Sequence, residues 1–416
     1  MAIAQHIKEL MNSKGASVIR KMFEEGIQLK AKFGEDKVYD FSLGNPDMPP
    51  PEKIYQVVNE IAKDNSNDRH AYMPNAGYTE TRKAMADKVN LEQGLSSSDA
   101  LNENHVVMSV GAAGALNSVF KAILNIDDEV IVPAPFFAEY RNYVANYKGN
   151  LIPVKSKKDF SLDVENIKNA LSNKTAAVLI NSPNNPSGKI YSESEIKELA
   201  SILKEHGNKI GRMPYLICDE PYRAITYNGK KVTAVFPSYD NAVVVTSFAK
   251  NLSLPGERIG FIAVNPKCED AKEFIAACTF TTRTLGYVNA PAFFQKVVAK
   301  CWNADVDYSI YTKRCKMITD VVKDAGIEFV EPEGAFYLFC KAPLPTLDDN
   351  KNFIIKDGED EICDEFAFCD HLKKFNILCA PGSGFGCPGY FRMAFCVSEK
   401  TITNCAESLK EAKNTW

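Results

Sequence analysis

The chain is punctuated by short apolar, often β-branched runs that each stop at a cluster of polar or small residues. Val106–Met108 runs into Ser109–Gly114, Ala177–Ile180 into Asn181–Gly188, Leu216–Cys218 into Asp219–Tyr222, and Ala242–Thr246 into Ser247–Lys250. Apolar runs without alternation predict strands covered on both faces, as in a parallel sheet packed between helices. Residues 129–133 and 259–264 predict two more strands. In open parallel sheets a ligand lies beyond the carboxyl ends of the strands, so the four polar clusters are expected to converge on one site. Between the strands, Val18, Ile19, Met22, Phe23, Ile27 and Leu29 fall near helical spacing and predict an amphipathic helix over residues 16–33. A long helical stretch is expected to begin after Thr279–Gln295 and run past Tyr311, crossing to a second domain. Residues 347–362 are acidic and read as an irregular surface insertion. The chain has no internal repeat.

The polar clusters hold the chemistry. A lysine just past a buried strand, as Lys250 is, has little access to bulk water, and desolvation favours its neutral, nucleophilic amine. Ser247 and Arg258 flank it with groups suited to a phosphate. Gly111, Ala112, Ala113 and Gly114 open the backbone at a predicted helix N-terminus, where free N–H groups favour an anion. Asp219 ends its strand with a carboxylate, and Tyr222 follows three residues on.

Composition narrows the class. A net charge of −4 gives no footprint for nucleic acid or an anionic membrane. No apolar run approaches the roughly 20 residues that span a bilayer, and MAIAQHIKELMNSKG lacks the apolar core and cleavage site of a signal peptide. A cytoplasmic protein is expected. The 12 cysteines lie between Cys218 and Cys405 without C-x-x-C pairs, so they read as reduced thiols rather than metal ligands. The five histidines sit in no catalytic context, so acid–base chemistry falls to another group, and a lysine serves.

The segment Ser247–Gly260, SFAKNLSLPGERIG, resembles the cofactor-lysine region of class I and II aminotransferases, S-x-[SA]-K-x-x-x-x-P-G-x-R-x-G. NSPNNPSG (181–188), DEPY (219–222) and FRMAF (391–395) match further motifs of that family in the same order, over about residues 16–400. The closest likeness is to the bacterial aspartate-aminotransferase-like group. The resemblance implies an α/β chain of fold type I: a large domain with a mostly parallel sheet sandwiched by helices, and a smaller α+β domain from both termini. The expected boundaries are 1–47 (arm and part of the small domain), 48–295 (large domain) and 296–416 (small domain). It implies pyridoxal 5′-phosphate as cofactor, an L-amino acid (aspartate first) and a 2-oxo acid such as 2-oxoglutarate as substrates, and a homodimer. Lys250 is then the Schiff-base lysine and proton shuttle, Asp219 faces the pyridine nitrogen, and Asn185 and Tyr222 face the ring oxygen. Phe137 lies on the ring, with Phe136 able to exchange roles with it. Gly111, Ala112, Ala113, Ser247 and Arg258 hold the phosphate, with Tyr72 reaching the neighbouring subunit's. Arg392 grips the substrate carboxylate, and Gly44 and Asn185 lie beside it. Arg283, Arg20 and Arg141 are candidates for a distal carboxylate. A lyase on the same fold, or a non-catalytic cofactor-binding relative, keeps the same motifs.

Overall fold

The computed structural model describes residues 3–12, 18–66 and 70–416. Its centre is a seven-stranded sheet. In chain order the strands are β1 (Val106–Ser109), β2 (Glu129–Ala134), β3 (Asn150–Lys155), β4 (Thr175–Asn181), β5 (Tyr215–Asp219), β6 (Ala242–Ser247) and β7 (Gly260–Val264), and they lie side by side as β1-β7-β6-β5-β4-β2-β3. Only β7 runs antiparallel to its neighbours. All the others are parallel, which brings the polar ends of β1, β4, β5 and β6 to the same edge.

Burial explains the uniform apolar runs. Every residue of β4, β6 and β7 is buried, whereas β3, at the edge of the sheet, exposes Asn150, Pro153 and Lys155. The side chains alternate between two apolar layers. Met108, Val178, Ile180, Leu216 and Val244 join one layer, and Val107, Ala177, Leu179, Ile217 and Val243 join the other.

Another cluster combines the beginning and end of the chain: Met22, Val38 and Phe41 pack with Tyr311, Phe336, Phe368, Phe391 and Leu409. Beside it runs a three-stranded antiparallel sheet of β8 (Tyr337–Lys341), β9 (Ala380–Pro381) and β10 (Tyr390–Ala394), with β10 in the middle. The short strand Tyr39–Asp40 pairs in parallel with Ile377–Leu378. The expected N-terminal helix is present as Val18–Phe33, while residues 13–17 lie outside the described residues.

Two expectations need correction. The long helical stretch expected after Thr279–Gln295 and past Tyr311 is not continuous: behind a first helix, Ala271–Thr284, it is split into Ala292–Cys301 and Ser309–Asp324. Positive φ at Gly286 and Val288, then Pro291, end the first run. The second helix buries Val297 and Val298 against the large sheet's layer and the third buries Tyr311 and Ile318 in the other cluster, so the crossing lies between them. The acidic segment 347–362 is also ordered. A 3-10 turn leads into an antiparallel hairpin, Ile354–Asp357 with Asp360–Cys363, reversed at Gly358 (φ 66°). Its charges occupy the solvent side of two real strands.

Candidate active site

A cavity of about 340 Å³ opens beyond the carboxyl ends of β4, β5 and β6. Lys250 reaches into it from the turn after β6, and its Nζ donates to the Gly44 carbonyl at 2.7 Å. The ammonium also lies 5.4 Å from the Phe336 ring centre and 5.9 Å from that of Tyr222. Burial is the largest influence on this amine, and Arg392 and Arg258 add to it, so its pKa falls from 10.5 to about 8. The neutral form is therefore accessible near physiological pH.

Asp219 closes β5 with 5% exposure. Its Oδ2 accepts from the Tyr140 hydroxyl at 2.6 Å, and its Oδ1 has no partner among the described residues. Burial outweighs the tyrosine's help and lifts the carboxyl to about 7. Asn181 ties the adjoining loop to this strand, donating to the Asp219 carbonyl at 2.8 Å and accepting from the Asn185 amide at 2.6 Å. The Asn-x-Pro-x-Asn spacing thus has a local cause: the first asparagine anchors the second. The Tyr222 hydroxyl meets that of Tyr337 at 2.7 Å.

At the opposite end stands the N-terminus of helix Gly111–Ile123, with Ala112, Ala113, Ser247 and Arg258 on the cavity wall. Gly111 adopts φ 68°, and a Cβ there would meet Arg258 Nη2 at 3.1 Å. Glycine lets the guanidinium come close to the helix end. Cationic side chain, free amides and helix dipole all favour an anion here.

Arg392 enters from β10. Its Nη1 donates to Asn185 Oδ1 at 3.1 Å and its Nη2 to the Ser42 carbonyl at 2.6 Å. The guanidinium carbon sits 4.7 Å from the Tyr337 ring and 4.8 Å from the Phe385 ring. It is a planar cation in an aromatic slot, buried with no carboxylate paired to it among the described residues, which suits it to a carboxylate ligand.

Eleven of the residues singled out from the sequence line this one cavity: Gly44, Ala112, Ala113, Phe137, Asn185, Asp219, Tyr222, Ser247, Lys250, Arg258 and Arg392. Phe137 lines the cavity, whereas Phe136 is buried outside it, with Arg141 over its ring at 4.8 Å. Arg141 and Arg283 lie off the cavity on exposed positions, and the side chain of Arg20 lies outside the described residues. Tyr72 is 89% exposed and takes no part in its own chain's cavity. The sequence reading missed Tyr140, Tyr337 and Asn181. Tyr140 sits three residues after Phe137, a spacing that could have marked it; Tyr337 had no comparable signal. Two larger hollows, of about 850 and 650 Å³, contain none of the expected residues, so chemistry locates the site better than size does.

The pyridoxal phosphate implied by the sequence fits these residues. The unpartnered, buried Asp219 Oδ1 suits a protonated ring nitrogen, Phe137 offers a ring face, and the Gly111–Ala113 helix end with Ser247 and Arg258 suits a phosphate.

Comparisons with known proteins agree. The family model for aminotransferase class I and II matches residues 36–409. A probable aspartate/prephenate aminotransferase of Aquifex aeolicus is 29% identical, covering 99% of this chain and 98% of that protein. An aspartate aminotransferase of Thermotoga maritima is 30% identical, covering 95% and 97%. The solved structure of an amino transferase from Eubacterium rectale superposes with a TM-score of 0.90 at 35% identity, covering 100% of this chain and 99% of that one.

Proposed function

Since the chain belongs to aminotransferase class I and II and is a pyridoxal-phosphate-dependent aminotransferase, we propose that the cavity at the ends of β4, β5 and β6 is its active site and that L-aspartate is an amino donor, with 2-oxoglutarate as acceptor. The observation that carries this reading is the meeting of three groups in one cavity: an amine brought to about 8, a buried carboxylate with an unpartnered oxygen, and an arginine in an aromatic slot.

When bound, pyridoxal phosphate supplies a carbonyl for the amine and a sink for the electron pair left at Cα. The chain supplies the rest. Lys250 would hold the cofactor, and its neutral Nζ would take the proton from the substrate Cα and deliver it to the former carbonyl carbon of the cofactor, two bonds away. Asp219 faces the ring nitrogen and keeps it protonated, held in place by Tyr140. Tyr222 and Asn185 orient the ring oxygen. Ser247, Arg258 and the amides of Ala112 and Ala113 fix the phosphate, so the ring does not swing as the substrate changes. Arg392 binds the α-carboxylate in a bidentate pair.

Aspartate is supported by the names of the relatives. Within this chain the cationic side chains of the cavity are Lys250, Arg258 and Arg392, so a distal carboxylate is read by a group from beyond the cavity wall. We assign that role to a homodimer partner, with Tyr72 likewise reaching the neighbouring site; its exposure supports this placement. No helix among the described residues is long and apolar enough to cross a membrane, and we place the enzyme in the cytoplasm.

The test is the absorbance of the cofactor-loaded protein. Adding L-aspartate should bleach the imine band, and 2-oxoglutarate should restore it. A band that aspartate leaves unchanged would sink aspartate. Release of pyruvate or ammonia without any oxo acid would replace transamination with lyase chemistry.

A further inference from the structure

The loop between β3 and helix Val164–Ala170 buries neighbouring residues in two different cores. Leu162, Val164 and Ile167 belong to the large sheet's apolar layer. Phe160, two residues before Leu162, is 5% exposed and joins Phe339, Ala380 and Phe385 instead. Its ring lies 5.5 Å from those of Phe339 and Tyr390, tilted at 58° and 72°. Phe160 therefore reaches out of the sheet that carries Lys250 and Asp219 and into the one that carries Arg392.

The backbone is built to aim it. Phe160 has φ 62°, a left-handed conformation that is uncommon for a bulky side chain and persists only where the surroundings enforce it. Here the Phe160 amide donates to the Lys157 carbonyl at 2.9 Å and the Lys157 amide to the Ser161 carbonyl at 3.0 Å. Asp159 Oδ1 accepts from the Ser161 amide and hydroxyl, and Asp159 Oδ2 pairs with Lys189 at 3.0 Å.

From this ring a continuous path leads to the site. Phe339 meets Phe385 edge-on at 6.2 Å, and Phe385 forms one wall of the Arg392 slot. The Phe385 carbonyl accepts from the Phe136 amide at 3.0 Å, next to Phe137 on the cavity wall.

We infer that Phe160 is a positioning residue for carboxylate binding, a wedge that holds the Phe339–Phe385 wall and so keeps Arg392 aimed into the cavity. The inference rests on the reading of Arg392 as the carboxylate-binding group. It predicts a distinctive loss. Without the ring, Arg392 binds the substrate carboxylate less well, while the Lys250–Asp219 end keeps its geometry.

The experiment compares Phe160→Ala, Phe160→Leu and Phe160→Gly in the cofactor-loaded enzyme. For Phe160→Ala the KM for the donor should rise about tenfold with kcat within about twofold, the pattern of lost uniform binding. Cofactor absorbance and affinity should stay as in the parent. Phe160→Leu, which refills the space, should recover most of the KM; Phe160→Gly, which adopts the same φ without strain, should not. Hydrogen exchange should quicken in residues 382–394 and stay unchanged in residues 215–219. An unchanged KM, or a loss shared by cofactor affinity, would overturn the proposal by reducing Phe160 to a filler of space. If the parent protein turned over no amino acid, the proposed donor or activity would have failed instead. Unchanged exchange in residues 382–394 would still refute the wedge.

Discussion

Replacing Asp219 by asparagine should stabilise the cofactor-free protein while disabling the enzyme, and its dependence on pH tests the reasoning. Burial raises this carboxyl from 3.8 to about 7. At about 1.4 kcal/mol for each pH unit, holding the charge in the folded state at pH 8 costs on the order of 4 kcal/mol. Because the folded value is raised, the carboxyl's favourable contribution is complete below about pH 4 and is lost as pH climbs to about 7. Of the total, about 2–3 kcal/mol falls between pH 5 and pH 8. Asparagine keeps an acceptor for the Tyr140 hydroxyl and has no charge to bury. Its advantage over aspartate should therefore be larger at pH 8 than at pH 5 by about 2 kcal/mol. Glu220, raised to about 7, and Lys250, lowered to about 8, titrate in the same range but are present in both proteins. Urea unfolding of the cofactor-free proteins at the two pH values measures the difference. With cofactor bound the sign reverses, because the ring nitrogen supplies the countercharge, and kcat should fall by about a hundredfold or more. Equal shifts at pH 5 and pH 8, or a loss of stability at pH 8, would refute the assignment of Asp219 as a buried carboxylate awaiting a cation.

Three further outcomes follow from the same geometry. Arg392→Lys keeps the charge but loses the planar fork and its fit between Tyr337 and Phe385, so kcat/KM for the donor should fall by about 10–100-fold, as steady-state kinetics would show. Gly44→Ala places a methyl group against the Tyr337 hydroxyl, which must move away from Tyr222; thermal denaturation should record a loss of about 1–3 kcal/mol, and activity should drop with it. Lys155→Ala breaks the pair with Asp357, whose side chains are 78% and 39% exposed. Stability should change by less than about 0.5 kcal/mol, and a larger change would show that the hairpin depends on that contact.

How much of this was legible in the sequence depends on the range of the interaction that decides each feature. The strands of the large sheet were legible because burial on both faces demands an unbroken apolar run, as at Ala242–Ser247. Lys250, Asp219 and Asn185 were legible because each stands just past such a run, and a parallel sheet gathers those ends at one edge. Where neighbouring residues alone did not decide, the sequence was silent or misleading. The helical stretch expected to run past Tyr311 is split between Cys301 and Ser309, and the acidic 347–362 segment folds into a hairpin. Tyr140 binds a carboxylate 79 positions away, and Tyr337 a hydroxyl 115 positions away. Phe160 turns from the core of Leu162 into that of Phe339. The chain by itself determined which polar residues stand at the strand ends that line the cavity, because solvation and local backbone preference act on neighbours. Only the tertiary structure decided which groups orient them, because a hydrogen bond or a ring contact depends on distance in space and leaves no mark at either position alone.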